Sequence, residues 1–199
     1  MHSTQTATPQ VDGRRARGQA NRRKLVAAMI ELVREGNVAP TAEQVASRAS
    51  VALRTVFRHF DDMESLYREI DTEVTQLITP LLHAPFVATE WRGRLRESIA
   101  RRAELYESIL PFRIATDAMR HQSAFLQQRQ ESIIQMQYST LMKILPDTVI
   151  ADAATLAALN LLLSVNAWQQ LRMDQGLSRE AAHQGMLTAA NALTASFAD

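Results

Sequence analysis

Apolar residues recur at helical spacing along almost the whole chain, and no run alternates with period two. The pattern predicts an all-α protein. From about Asn21 to Glu35, Leu25, Met29, Leu32 and Val33 share one face, with Arg22, Arg23, Lys24 and Arg34 elsewhere. Gly36 supplies the stop, because glycine takes left-handed angles cheaply. Thr41-Ala42-Glu43-Gln44 has the spacing of a capping box, and the helix it opens buries Ala42, Val45, Ala46 and Ala49. A third helix spans about Leu53 to Phe60, with Leu53 or Val56, Phe57 and Phe60 turned inward. Asp61 or Asp62 then caps a longer helix with an apolar stripe from Met63 to Leu81, which Pro80 should end or kink.

Five further helices follow: about Thr89 to Leu110, stopped by Pro111; about Phe112 to His121; about Ser123 to Leu145; about Ile150 to Gln175, closed by Gly176; and one after Ser178 running to about Phe197. That makes nine helices with no internal repeat and a domain boundary inside the fourth. The expected organisation is a disordered basic arm over 1–20, a helix-turn-helix domain over 21–68 and a helical domain over 69–199.

Charge sharpens this division. The whole chain carries a formal +1, yet residues 1–60 hold ten Lys/Arg against four Asp/Glu, and residues 61–199 hold twelve against seventeen. A basic N-terminal third on a mildly acidic remainder points to a polyanion met by one part only. Cysteine is absent, which excludes disulfides, Cys metal sites and Cys nucleophiles and fits a reducing cytoplasm. The first twenty residues contain no apolar core of a secretory signal. The longest uncharged stretch, Ala153 to Leu171, is broken by polar residues and reads as a buried helix rather than a membrane span. A cytoplasmic protein is expected.

The informative segment is 41–60. Two short helices separated by Ser50-Val51-Ala52 form a helix-turn-helix, in which the first braces the second and the second presents its outer face to the major groove. That face carries Arg54, Thr55, Arg58 and His59. Arg54 and Arg58 repel each other one turn apart, a cost that a facing polyanion reverses. Arg suits phosphate or guanine O6 and N7; Thr55 and His59 suit phosphate oxygens. The alternative is a solvated face on an ordinary helical hairpin. Arg14, Arg15 and Arg17 in the arm are placed to enter a minor groove, or belong to a plain disordered tail.

Gly36, the run Thr41 to Ala46, the run Ala49 to Phe60 and Glu64-Ser65-Leu66 together resemble the tetracycline-repressor-type (TetR) transcriptional regulators. The resemblance covers about residues 22–70; beyond that only length and helical pattern agree. It implies a homodimer on double-stranded operator DNA, probed through Thr41, Ala52, Leu53, Arg54, Thr55, Phe57, Arg58 and His59, and a repressor released by a small-molecule effector. The chain departs from the family at several points. Ser50 stands where the family has Gly, at a cost of order 1 kcal/mol if the backbone is left-handed. Ala52 replaces the usual Ser or Thr cap, a loss of about 1 kcal/mol. Phe57 replaces Tyr and Met63 replaces Lys, which removes two phosphate contacts.

The resemblance further implies that the C-terminal domain dimerises and binds the effector. The segment 150–175 is apolar on two sides and the last helix adds small residues, so Leu162, Val165, Trp168, Leu171, Met186, Ala189 and Leu193 are the expected dimer interface. Phe112, Met119, Phe125, Met136 and Tyr138 are the expected pocket, although each also suits a core. The lack of a charge cluster among them favours an apolar or neutral effector. The five His are scattered without ligand spacing, so no metal or other cofactor is expected. No nucleophile elbow or phosphate loop supports an enzyme. The rival readings are a ligand-free architectural or division-associated DNA binder on the same fold, and an enzyme; a cavity in the C-terminal domain, and what lines it, separates them.

Overall fold

The computed structural model describes residues 10–60 and 63–198. Among these the chain is all-α, with ten α-helices and no strand. It divides into two compact units that meet in sequence at Glu73 and Val74.

In the first unit, α1 (Gln10–Arg34) buries Leu25, Val26, Met29, Leu32 and Val33 along one face. It ends at Gly36, φ 93°, where the Asn37 N–H donates to the Leu32 carbonyl at 3.0 Å and the Gly36 N–H to the Val33 carbonyl at 3.0 Å. These paired reverse bonds satisfy carbonyls that the helix leaves free. The segment expected to be a disordered arm is instead helical from Gln10. Once the 25–33 face is docked, each added residue gains a ladder bond without a new nucleus, and Arg, Ala and Gln propagate well. Residues 1–9 of that arm lie outside the described residues.

The second helix, α2 (Ala42–Arg48), begins in the expected capping box: the Thr41 hydroxyl accepts from the Gln44 N–H at 3.3 Å, and the Gln44 side chain accepts from the Thr41 N–H at 2.8 Å. It ends as α1 does. Val51 N–H donates to the Ala46 carbonyl at 3.0 Å and Ser50 N–H to the Ser47 carbonyl at 3.1 Å. Here the left-handed residue is Ser50, φ 54°. The next helix, α3 (Leu53–His59), starts at Ala52 with no side-chain cap. The turn between them therefore carries two local defects. Ser50→Gly is expected to raise stability by about 1 kcal/mol by removing the Cβ clash of the left-handed region. Ala52→Ser is expected to add about 1 kcal/mol by accepting a free N–H. Urea melts followed by circular dichroism check both; a Ser50→Gly chain no more stable than the parent would mean the turn stores no strain.

Helix α4 (Met63–His83) crosses the boundary between the units and runs past Pro80 to His83. Its N-terminal half buries Leu66 and Ile70. Arg22 of α1 ties the first unit together: it donates to the His59 carbonyl and to Glu69, each at 2.8 Å, and lies 4.6 Å from the centre of the Phe60 ring.

In the second unit, α5 (Trp91–Met119) runs through Pro111, where two separate helices were expected. Proline in a helix interior costs roughly 3 kcal/mol. Tyr106 and Leu110 before it and Phe112 after it are all buried, and burying such side chains returns about 1.5–3 kcal/mol each, so burial wins. A 3-10 turn (Arg120–Gln122) leads to α6 (Ala124–Met142), capped by Ser123, whose hydroxyl accepts from the Leu126 N–H at 3.2 Å.

The long helix expected over 150–175 is instead α7 (Asp147–Ala151), α8 (Ala153–Leu162) and α9 (Val165–Gln169), which continues as a π turn (Gln170–Asp174). Two side chains compete with the helical ladder. Asp152 accepts from the Thr155 N–H at 3.0 Å, and the Ser164 hydroxyl from the Ala167 N–H at 3.1 Å. The Leu163 carbonyl meanwhile accepts from the Tyr106 hydroxyl at 2.7 Å and from Arg102 at 3.0 Å. The last helix, α10 (Arg179–Thr194), is capped by Ser178, and Arg92 clasps its end through the carbonyls of Thr194 and Phe197. The merger at Pro111 and the breaks at Asp152 and Leu163 turn nine expected helices into ten.

The core of this unit holds Ile99, Tyr106, Leu141, Leu159, Trp168 and Met186. The Trp168 indole N–H donates to Glu107 at 3.1 Å, and Arg172 donates to the same carboxylate at 2.7 and 2.9 Å. The Arg172 bonds, aided by Trp168, hold the Glu107 carboxyl below its ordinary pKa. Among the described residues no helix is long and apolar enough to cross a membrane, and no group of three or more His, Cys, Asp or Glu could hold a metal ion.

Candidate nucleic-acid interface

Helix α3 has two sharply different faces. Thr55, Val56 and Phe60 are buried and His59 is half-buried. Leu53, Arg54, Phe57 and Arg58 point outward at i, i+1, i+4 and i+5. Leu53 is 37% exposed and Phe57 56%, values at odds with a core role. The expected inward placement of Phe57 is therefore corrected, and of the alternatives Leu53 or Val56 it is Val56 that is buried; the outward placement of Thr55, which is only 8% exposed, is corrected too. The cause is helix phase. The first turn of α3 is tight, with the Thr55 N–H donating to the Ala52 carbonyl at 2.7 Å, and Val56 and Phe60 are enough to anchor so short a helix. Thr41 and Ala52 are both exposed, but the Thr41 hydroxyl is committed to capping α2.

Among the described residues neither Arg54 nor Arg58 meets a carboxylate, and α3 contains no acidic residue. Arg58 lies 3.5 Å from the His59 ring nitrogen. Burial first, then the charges of Arg58 and Arg22, push the His59 pKa below its ordinary 6.5. The outer face thus offers two guanidinium groups flanking an apolar pair, with a neutral imidazole at its edge.

On α1, Arg15 and Arg17 are exposed; Arg14 falls in the helical span, with its side chain outside what is described. A Cβ added at Gly18 would lie 3.7 Å from the His59 ring, so this stretch of α1 runs beside the end of α3. These arginines sit on a helix, not on a flexible arm.

The second unit carries a cavity of about 260 Å³, just below the roughly 300–1,000 Å³ typical of ligand pockets. It lies between the C-terminal half of α4, α5 and α6. Of the expected pocket residues, only Met136 lines it. Phe112 is buried elsewhere, Met119 and Phe125 are half-buried outside the lining, and Tyr138 is exposed. Apolar character alone does not reveal which helix face meets a void. Arg101, Arg102 and Arg129 do line it, so the expected lack of charge does not hold.

The expected dimer residues divide in the same way. Val165, Trp168 and Met186 are buried in the unit's own core, at 4%, 0% and 0% exposure. Leu162, Leu171 and Leu193 pack against that core, and Ala189 is half-buried. What α8 and α10 leave outward is Leu161, 70% exposed, with Ala157, Ala181, Gly185, Thr188 and Ala192. The breaks at Asp152 and Leu163 shift the helical phase, which moves the outward strip away from the residues that an unbroken helix would present.

No protein-family model matches the chain, and no curated protein matches it in sequence. The fold is similar to a solved structure, that of SCO7518 from Streptomyces coelicolor A3(2), described as a candidate transcriptional regulator. The TM-score is 0.63 over 88% of this chain and 99% of that one, at 19% identity. Likeness at that identity establishes a common fold.

Proposed function

We propose that the chain is a homodimeric, DNA-binding transcriptional regulator of the tetracycline-repressor type, a repressor released from a palindromic operator by a small molecule. The observation that carries this reading is the outer face of α3: Arg54 and Arg58, which meet no carboxylate among the described residues, set beside exposed Leu53 and Phe57 on a helix braced by α2. Guanidinium groups suit guanine edges and phosphates, and an exposed phenyl ring suits a thymine methyl. The basic balance of residues 1–60 supports the same partner. The outward strip of α8 and α10 suits pairing about a two-fold axis, which would give two reading helices and half-sites about 34–36 Å apart. The cavity supports a ligand-responsive regulator over a purely architectural DNA binder. Release follows when the ligand prefers a conformation in which the two reading helices no longer match successive grooves.

Selection of the full chain on random duplex DNA is expected to return a two-fold symmetric site, bound at least a thousandfold more tightly than bulk duplex, within the range of about 10³–10⁷ for specific binders. Affinity should also rise as pH falls from 7.5 towards 6. His59 is neutral in the free protein because its pKa is depressed; phosphate nearby favours the imidazolium, so binding takes up a proton. His59→Gln should flatten that dependence. No enrichment of any sequence would sink the reading.

A further inference from the structure

Two arginines are buried in the second unit, each 7% exposed, and they differ in one respect. Arg113 is paired with Asp117 at 3.0 Å. Arg102 meets no acid among the described residues. Its Nε donates to the Ser98 hydroxyl at 3.3 Å, Nη1 to the Tyr106 hydroxyl at 2.9 Å and the Leu163 carbonyl at 3.0 Å, and Nη2 to the Gln137 carbonyl at 3.3 Å. All four acceptors are neutral. A guanidinium has five N–H donors, so one is left over. Withdrawing such a charge from water is costly, and neutral acceptors offset the cost less well than a carboxylate does.

Arg102 lines the cavity, and so do Ser98, Tyr106 and Gln137. The other side of the same space is apolar, formed by Ile78, Leu82, Leu105, Ile109 and Ile133. Among the described residues no Asp or Glu lines it. Of the other cations, Arg101 is held by Glu97 and by the carbonyls of Ala84 and Pro85, Arg129 donates to Thr75, and His83 is exposed. Burial pushes the Tyr106 phenol above its ordinary pKa, so it serves as a neutral hydroxyl beside Arg102.

We infer that the cavity takes a small amphipathic anion, a carboxylate on an aliphatic or aromatic body, with Arg102 as its counter-ion. The inference rests on the regulator reading only for what the ligand then does to DNA binding. The carboxylate takes the spare Nη2 hydrogen and replaces one of the long 3.3 Å bonds, while the body fills the apolar side.

The test is calorimetric titration of the full chain with octanoate and 4-phenylbutanoate against octanol, 4-phenylbutanol and octylammonium, with DNA affinity measured separately. The carboxylates are expected to bind about ten- to a hundredfold more tightly than the matched alcohols, the range for a hydrogen bond to a charged group, and octylammonium not at all. Arg102→Gln should abolish the preference. Met136→Trp, at a partly exposed position on the lining, should block both classes while the chain stays folded, and it carries the test with the wild-type preference if Arg102→Gln unfolds. Alcohols binding as well as carboxylates, no carboxylate binding, or a folded Arg102→Gln chain that keeps the preference would each overturn the inference. Octanoate binding with this preference but without effect on DNA would leave the ligand class standing and remove the effector role. Selective DNA binding with no carboxylate bound would do the reverse.

Discussion

Trp168→Ala is expected to cost the second unit about 3–5 kcal/mol, the range for truncating a large aromatic in a packed core. The side chain is fully buried, and its indole N–H is one of three donors on Glu107. The substitution therefore opens a void and strips the carboxylate of a partner. Thermal melts should show the loss directly. Leu161→Glu is the contrasting variant. Leu161 is 70% exposed, so the stability of one protomer should stay within about 0.5 kcal/mol of the parent. A carboxylate there would meet its own symmetry mate across the proposed two-fold axis, and sedimentation should shift from dimer to monomer. A wild-type chain that sediments as a monomer at micromolar concentration would end the dimer proposal; a Leu161→Glu chain that remains a dimer would place the interface elsewhere.

The second large effect is expected on DNA. Arg54 lies in the first turn of α3, the end of a reading helix that enters the groove, and under the proposed function is assigned to a base edge. Arg54→Ala should cost about 1–3 kcal/mol per half-site, hence roughly twice that for a dimer on a symmetric site, and relax preference at one base pair in each half. Arg58, a turn later, is assigned to the backbone. Arg58→Ala should weaken specific and random duplex alike and lower the slope of affinity against salt by about one phosphate contact per half-site. Titrations at several salt concentrations separate the two behaviours. If both variants bind as the parent does, α3 is not the reader and the proposed function falls with it.

Features built from local chemistry were legible in the sequence. The capping box at Thr41, the glycine stop at Gly36 and the serine cap at Ser178 all stand as read, because each depends on side chains within a few residues. The left-handed backbone at Ser50 was signalled only through the resemblance, in which glycine holds that position. What escaped depended on distant partners. Nothing near Pro111 shows that burial on either side of it will carry α5 across. Nothing near Leu163 shows that Tyr106 and Arg102, some sixty residues earlier, will draw on its carbonyl. The candidate site divides along the same line. Arg54 and Arg58 could be placed from charge and spacing. Phe57 and Leu53 looked like core because they are apolar, and only the packing of Val56 and Phe60 leaves them outside. The cavity was the least legible feature. A void is defined by three helices at once, and its one buried charge sits in a stretch of α5 that reads as ordinary amphipathic helix.

The turn before α3 has a consequence for how that helix moves. Ser50 in a left-handed conformation and Ala52 without a capping side chain both weaken the same junction. Neither defect touches α1, whose buried face and glycine stop are intact. The N-terminal unit is therefore expected to be uneven: α3 should open locally at lower free energy than its scaffold, and its amides should exchange with solvent through that partial opening rather than through global unfolding. If α3 reads DNA as proposed, a helix that frays in the free protein must be ordered on contact. Part of the interaction energy is then consumed in ordering, so binding releases more heat and loses more entropy than a rigid helix would show. Repairing the turn would stiffen the reader before contact, tightening its grip on every duplex, matched and mismatched together.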